Sequence, residues 1–516
     1  MPTNVLGRNL PEKLFGISLK PYKGIHKSST SGSRVGTTYQ PRYVTRQTKR
    51  FYDSIESLME VLPIHDGMTL SFHHALREGD NIVRPIIDAF ASHGVKNLTL
   101  ASTALFSVHT PLLEHIQSGV IKRIDGSLNG PLGKAVSLGE IEIPTVLRSH
   151  GGRARAVQEG SLHIDLAFIS ASACDYIGNL TGRIGKSAFG SLGYPLDTDT
   201  LYADVVVGVT DNILSTPLTQ ISIPSSRIDY VLEVDSIGDP SKIASGSLGR
   251  KIPKQRLEIA ETVVRIMESS GYFEEGFNWQ AGAGGMSLAA SIYLRDLIID
   301  KKIRGGYIFG GIATNSVKML EDGLFSTIYD AQSFDLDAVK SLRENPQHIE
   351  VSIDHAYNPF NKACIAVNTD FSVLGATEVD LNFNVNVNTF SNGMLNSGIG
   401  GHQDAARAKI SMIVVPLARR VPSIIDSVTT VSSPGDSIDI IVTDGGIAIN
   451  PCQTAKRLRV EKLLRAAKLN FKSIQELKEI SQSQASPITP ELTSEITTLV
   501  EYRDGTHLDV IFRVVN

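Results

Sequence analysis

Residues 68–102 read MTLSFHHALREGDNIVRPIIDAFASHGVKNLTLAS, one complete strand–helix–strand unit. Residues 68–73 are a short apolar strand. Asp80 caps a helix with Ile82, Val83, Ile86, Ile87 and Phe90 on one face, Gly94 ends it, and residues 98–102 return as a strand. Short strands alternating with one-sided helices point to a parallel sheet covered on both faces.

The alternation continues outward. Thr110 with Pro111 opens a helix closed at Gly119, and residues 120–124, 145–147, 164–170, 204–209 and 229–234 read as further strands. A Gly/Ser/Pro-rich passage follows at 237–253, then an apolar-faced helix at 256–268. A second cycle places strands at 277–280, 307–309, 326–329, 363–368, 377–387, 410–415 and 438–443. The expected fold is two tandem α/β domains with mostly parallel sheets covered by helices. The division is a basic N-terminal arm (1–54), a first domain (55–236), a linker (237–253) and a second domain with C-terminal helices (254–516). The six Lys and Arg residues of the helix at 454–469 read as a solvated face. No short repeat is visible; the halves share an order of elements.

Apolar content of 41% and charged content of 20% are ordinary for a soluble globular protein, and a net charge of −4 argues against nucleic acid. Cys174, Cys364 and Cys452 lie far apart without CxxC spacing, which excludes a disulfide framework and fits a cytoplasmic location. No run of about 18 apolar residues suggests a membrane span. The first 50 residues carry ten Lys and Arg against Glu12 alone, broken by four prolines. They read as an arm that packs along the body, against a second subunit or on an acidic partner.

Several stretches could carry chemistry. Asn396-Ser397-Gly398-Ile399-Gly400-Gly401-His402-Gln403-Asp404 has three glycines whose N–H groups can converge on an anionic oxygen, with Gln403 and Asp404 as polar handles at the rim. A tight turn between strands is the plain alternative. Gly282-Ala283-Gly284-Gly285 precedes a helix; it offers an anion cradle or close helix–sheet packing, and is neither a P-loop nor a dinucleotide fingerprint. Residues 165–179 end an apolar strand in small residues, Asp175, Gly178 and Asn179, where open α/β sheets bind ligands. Cys174 there reads as packing. His73 and His74 suit anion binding better than metal, because neighbours on a strand face opposite ways. Residues 125–131 form a turn with several donors, Ser127 and Asn129 among them.

Residues 165–179 resemble the strand and Gly-Asn signature of coenzyme A transferases. Residues 397–404 resemble their Ser-Gly-x-Gly-Gly-Gln element, here with His402 before Gln403, and Val442-Thr443-Asp444 resembles a late strand. Residues 71–74, 125–134, 277–288 and 305–316 resemble the citrate lyase alpha-chain family more closely, over nearly the whole chain. The resemblance implies two coenzyme A transferase-type domains with the site between them. It also implies a citrate CoA-transferase activity that exchanges acetate for citrate, through a mixed anhydride, on the thiol of a carrier's prosthetic group. That group is the coenzyme A-like phosphoribosyl-dephospho-CoA of an acyl carrier (gamma) subunit. A lyase (beta) subunit then cleaves the citryl thioester to oxaloacetate and acetyl-carrier. No cofactor or metal bound by this chain is expected. Acetyl-CoA is an expected surrogate, and a homo-oligomer within a larger complex is expected.

On that reading Gly284, Gly285, Gly400 and Gly401 are oxyanion donors, with Gln403 beside them. Arg77, Arg148, Arg153 and Arg183 are candidates for citrate's carboxylates, and His73, His74, Ser127, Asn129, Asn179 and His402 for further substrate contacts. Where related transferases carry a Thr-Glu pair, residues 309–314 hold no acid. The alternative is an acyl-CoA:carboxylate CoA-transferase or thioesterase using free coenzyme A and a covalent glutamyl thioester, with Glu378 as the glutamate. A non-catalytic scaffold is the third reading.

Overall fold

A computed structural model describes residues 2–25, 49–244, 253–281, 285–452 and 454–515. Two large sheets organise them. The first has seven strands, all parallel, in the order Phe51–Tyr52, Tyr230–Glu233, Val205–Thr210, Leu166–Ala171, Thr69–Ser71, Leu98–Leu100, Ile121–Ile124. The second has eight, in the order His348–Glu350, Phe325–Ser333, Gly305–Ile312, Trp279–Ala281, Phe371–Gly375, Ile410–Val414, Ile440–Thr443, Gly446–Ile449. Only the last of these pairs antiparallel.

The opening unit forms as its pattern dictates. Asp80 Oδ1 accepts the N–H groups of Ile82 and Val83 at 3.0 Å, and the helix Val83–Ser92 buries Val83, Ile86, Ile87 and Phe90. Gly94 then turns the chain at φ 79°. Central strands such as Leu166–Ala171 are buried on both faces, which is why they read as continuous apolar runs.

Four expectations are corrected. Residues 363–368 are not a strand: Asn368 and Thr369 side chains donate back to the carbonyls of Cys364 and Ile365, holding the helical turn Ile365–Asn368, and the strand begins at Phe371. Residues 377–387 are not one strand but the antiparallel pair Glu378–Asp380 and Val385–Asn386, reversed at Phe383 with φ 63°. Thr145–Leu147 leaves the main sheet and pairs with Leu492–Glu501, half of a C-terminal hairpin completed by His507–Val514 that the sequence reading missed. In the helix Ala455–Ala466, Arg457 is buried against Asp439 and Lys456 also reaches Asp439, so this face is only partly solvated.

The boundaries between halves move accordingly. Ile237 and Ile243 are buried in the first core, so residues 237–244 belong with the first half. Val500, Tyr502, Leu508 and Ile511 join that same core although the chain has by then built the whole second sheet. Phe51–Tyr52 edges the first sheet, and residues 2–25 strap the hairpin: Asn4 donates to Leu508 O at 2.8 Å, and Leu10 packs with Val146, Leu499 and Val510.

The two halves also repeat a local device. Asp175 Oδ1 accepts the N–H of Ile177, Gly178 and Asn179, its Oδ2 accepts from Leu218 N, and Asn179 accepts from Ser225 N. Asp380 Oδ1 accepts the N–H of Asn382 and Asn384, its Oδ2 accepts from Val428 N, and Asn384 accepts from Gly435 N. Asp165 and Asp370 correspond likewise, each accepting from a strand neighbour, Thr69 N and Asn278 N.

Candidate active site

The carboxyl ends of the parallel strands in both halves open into one cleft of about 530 Å³. Such strand ends carry ligand sites in open α/β sheets because the loops that follow are free to vary while the sheet holds them still. His74, Arg77, Ser127, Asn129, His150 and Tyr194 line it from the first half. Gln280, Gly285, Gln332, Tyr357, Gly398, Gly400, Gly401, His402 and Arg419 line it from the second. Gly285 and the 398–401 loop therefore share one cavity, while Gly284 lies outside the described residues.

The glycine loop is the first element of the site. Gly400 has φ 61°, and a Cβ on Gly398 would stand 1.8 Å from Ser127 Oγ, so close approach of the halves demands glycine there. Among the described residues no protein group accepts the N–H of Gly398, Ile399, Gly400 or Gly401. Unspent donors beside a cavity are what an anionic oxygen requires.

The cations sort by their partners. Arg148 is buried between Asp125 and Glu501, Arg153 chelates Asp199, and Arg183 reaches Glu350 at 3.0 Å. None of the three lines the cleft. Arg77 does; its guanidinium lies 4.6 Å from the ring centre of Phe106 and 5.3 Å from that of Phe334. No carboxylate among the described residues lies within ion-pairing distance of Arg77. Its backbone holds the left-handed region at φ 51°, a cost other side chains rarely bear and one often found at ligand sites. Arg256 and Arg419 also line the cleft, with Arg419 donating to the carbonyls of Ala376 and Thr377. Sequence reasoning missed Arg256 and Arg419, since nothing local separates a partnered arginine from an unpartnered one.

The floor of the cleft is neutral. Tyr194 OH and His150 Nε2 are hydrogen bonded at 2.9 Å. Burial and Arg153 push His150 down to about 4, and burial drives His74 well below its ordinary range. Burial raises the phenols of Tyr194 and Tyr357. His402 is fully committed: Nε2 lies 3.1 Å from Gly375 O and must carry the proton, so Nδ1 accepts from Ser433 Oγ at 2.8 Å. His150, Tyr194, Gln280, Gln332 and Tyr357 were not singled out as site residues from sequence: four stand in unremarkable stretches, Gln280 only borders the glycine run at 282–285, and the fold alone gathers them.

Three further expectations are corrected. Gln403 and Asp404 are not at the rim. The short helix His402–Ala405 turns both inward: Gln403 Nε2 donates to Ser432 O and Glu501 O, and Asp404 accepts from Gly151 N, Ser149 Oγ and Arg503 Nε. Asn179 is spent on the Asp175 turn. His73 faces away from His74, with Nε2 3.7 Å from the buried Asp199. Cys174 is fully buried and burial pushes its thiol up to about 12, so it is a packing residue.

Glu378 lies outside the cleft. It is 1% exposed and accepts from Asn386 Nδ2, Thr429 N and Thr429 Oγ1. No Asp or Glu lines the cleft among the described residues, and none of the remaining residues is acidic.

Residues 48–514 match the family described as citrate lyase, alpha subunit (CitF). The citrate lyase alpha chain of Klebsiella pneumoniae is 40% identical over 477 residues, 91% of this chain and 92% of that one. The Escherichia coli alpha chain is 40% identical over 92% and 93% of the two chains. A Streptococcus mutans structure, described as an alpha subunit of citrate lyase in complex with citrate, superposes with a TM-score of 0.91 at 39% identity, covering 99% of this chain and 100% of that one. A 4-hydroxybutyrate CoA-transferase from Porphyromonas gingivalis shares the fold at a TM-score of 0.53 and 17% identity, covering 84% of this chain and 98% of that one.

Proposed function

The chain belongs to the citrate lyase alpha-subunit family, and from that premise we propose that its cleft transfers the acyl carrier's thiol from acetate to citrate without acylating the enzyme. The observation that carries this reading is the missing acid: a cleft lined by guanidinium groups and free N–H donors contains no carboxylate able to form a glutamyl thioester.

A carboxylate oxygen of citrate adds to the acetyl thioester carbonyl, and charge builds on the carbonyl oxygen. N–H groups of Gly400 and Gly401, which no described protein group accepts, receive it, a contribution of about 3–4 kcal/mol per donor in comparable sites. Collapse expels the thiolate and leaves an acetyl–citryl anhydride. The same thiolate adds to the citryl carbonyl, and acetate departs. Both nucleophiles are anions already, so neutral imidazoles and phenols suffice as walls. The cleft must only orient the reactants and keep water from the anhydride. Arg77 is placed to hold a citrate carboxylate, since planar N–H pairs match carboxylate oxygens. The thiol is that of a coenzyme A-like group on a carrier subunit, and a lyase subunit consumes the citryl thioester.

The test supplies labelled acetyl-carrier, or acetyl-CoA as surrogate, with and without citrate, and adds borohydride. Citrate-dependent release of labelled acetate with no reduced glutamate is expected. Reduction at Glu378 with citrate inert would replace this reading by the covalent one.

A further inference from the structure

A second cluster lies at the opposite, amino-terminal edge of the first sheet, away from the cleft. We propose that His163, Asp165 and Asp204, with His65 beside Asp165, form a binding site for a divalent transition-metal ion of the zinc type. His163 Nε2 lies 2.9 Å from Asp204 Oδ2 and 3.6 Å from Asp165 Oδ1, and His65 Nε2 lies 4.0 Å from Asp165 Oδ1. One donor atom each from His163, Asp165 and Asp204 fall within 4.8 Å of one another. Donors around a tetrahedral zinc ion stand about 3.3 Å apart, given bonds near 2.0–2.1 Å. The two spacings from His163 bracket that value, and His65 stands farther out, 4.0 Å from Asp165 Oδ1.

The surroundings orient the donors as a metal requires. Asp165 Oδ2 accepts from Thr69 N at 2.6 Å, which turns Oδ1 toward both imidazoles. His65 Nδ1 is 2.9 Å from Asp66 O, so that nitrogen carries the proton and Nε2 keeps its lone pair. One imidazole with two carboxylates, and a second imidazole within reach of one of them, form a donor set that suits zinc and its neighbours.

The second half shows what this place accommodates. Asp370 occupies the position of Asp165, and Lys409 that of Asp204: Val205 N donates to Asp165 O, and Ile410 N to Asp370 O. There the Lys409 ammonium sits 2.7 Å from Asp370 Oδ1. One half thus carries a lysine at this point beside its strand-edge carboxylate, while the other carries a second carboxylate and the ring nitrogen of His163. The strand ends that carry the cleft are at the other side of the sheet, so the ion's role is to tie together the starts of the strands Leu166–Ala171 and Val205–Thr210.

The experiment titrates zinc chloride into the metal-stripped, citrate-free full chain by calorimetry, repeats it with cobalt chloride by visible absorption, and compares Asp204→Lys and His163→Asn. One equivalent should bind the native chain, with a cobalt spectrum of mixed nitrogen and oxygen ligation. Affinity should fall at least about tenfold in each variant. Asp204→Lys should retain Tm without metal, because it copies the arrangement of the second half; His163→Asn serves if that variant does not fold. No binding to the native chain, or equal affinity in native chain and variants, overturns the proposal. Acetate–citrate exchange should be unchanged in both variants.

Discussion

The backbone N–H of His150 donates to the carbonyl oxygen of Gly400 at 2.9 Å, so the first turn of a first-half helix is tied directly to the glycine loop of the second half. The width of the cleft is thereby set by main chain. Side-chain changes within it can be read as effects on binding and chemistry.

Gly401→Ala should lower acetate–citrate exchange by about tenfold or more while the protein stays folded. The added Cβ would stand 3.2 Å from a ring carbon of Tyr357, and φ −88° admits alanine without strain. Gly398→Ala meets Ser127 Oγ at 1.8 Å and should lose stability as well as activity. Single-turnover rates set beside Tm separate the two. Full activity in Gly401→Ala would remove this loop from the chemistry.

Arg77→Gln should raise the citrate KM roughly 10–100-fold, the worth of one or two charge-assisted hydrogen bonds, with little change in Tm. Arg148→Gln should do the reverse. It leaves the buried Asp125 to Arg123 alone and Glu501 to Arg155 alone, a loss of up to about 3–5 kcal/mol in comparable pairs. Equal citrate KM in native protein and Arg77→Gln would move the carboxylate site elsewhere.

Glu378→Gln should leave exchange within about threefold of native, since its carboxylate serves the Asn386–Thr429 turn. A loss of several orders of magnitude would point to a covalent route.

Stability should fall on mild acidification. Burial holds His73, His150 and His402 near 4, below the free imidazole value of about 6.5. Between those values the unfolded chain binds protons that the folded chain refuses. Stability is therefore complete above about pH 6.5 and declines toward pH 4, by up to about 1.4 kcal/mol per unit for each histidine. Tm measured across this window checks it; a flat profile contradicts it. His402→Asn should flatten part of the slope.

How much of this was legible in the sequence depended on range. The unit at 68–102 was legible because caps, helix face and strand runs are local. The strand at 363–368 was misread because an apolar run does not reveal that Asn368 and Thr369 will bond backward. The hairpin at 492–514 and its partner Thr145–Leu147 are paired across most of the chain, beyond any local pattern. The repeated Asp–Asn turns escaped notice because hydrogen bonds, rather than side-chain identities, carry the repeat: Gly178 in one half answers to Phe383 in the other, both at positive φ. For the site, the glycine loop was visible as a motif. Which arginine was free, and that Gln403 and Asp404 point inward, required knowing what each touches.

Glu501 meets Arg148 and Arg155, two buried guanidinium groups from the first half of the chain. Each keeps a nearer partner, Asp125 for Arg148 and Glu159 for Arg155, and Glu501, some 350 residues on in sequence, bridges the two. Without residues 492–514 those nearer pairs would remain, but each arginine would lose its shared carboxylate and the strand that carries it. The hairpin at 492–514 thus closes the first half in two ways at once, by strand pairing with Thr145–Leu147 and by joining two separate buried ion pairs into one network.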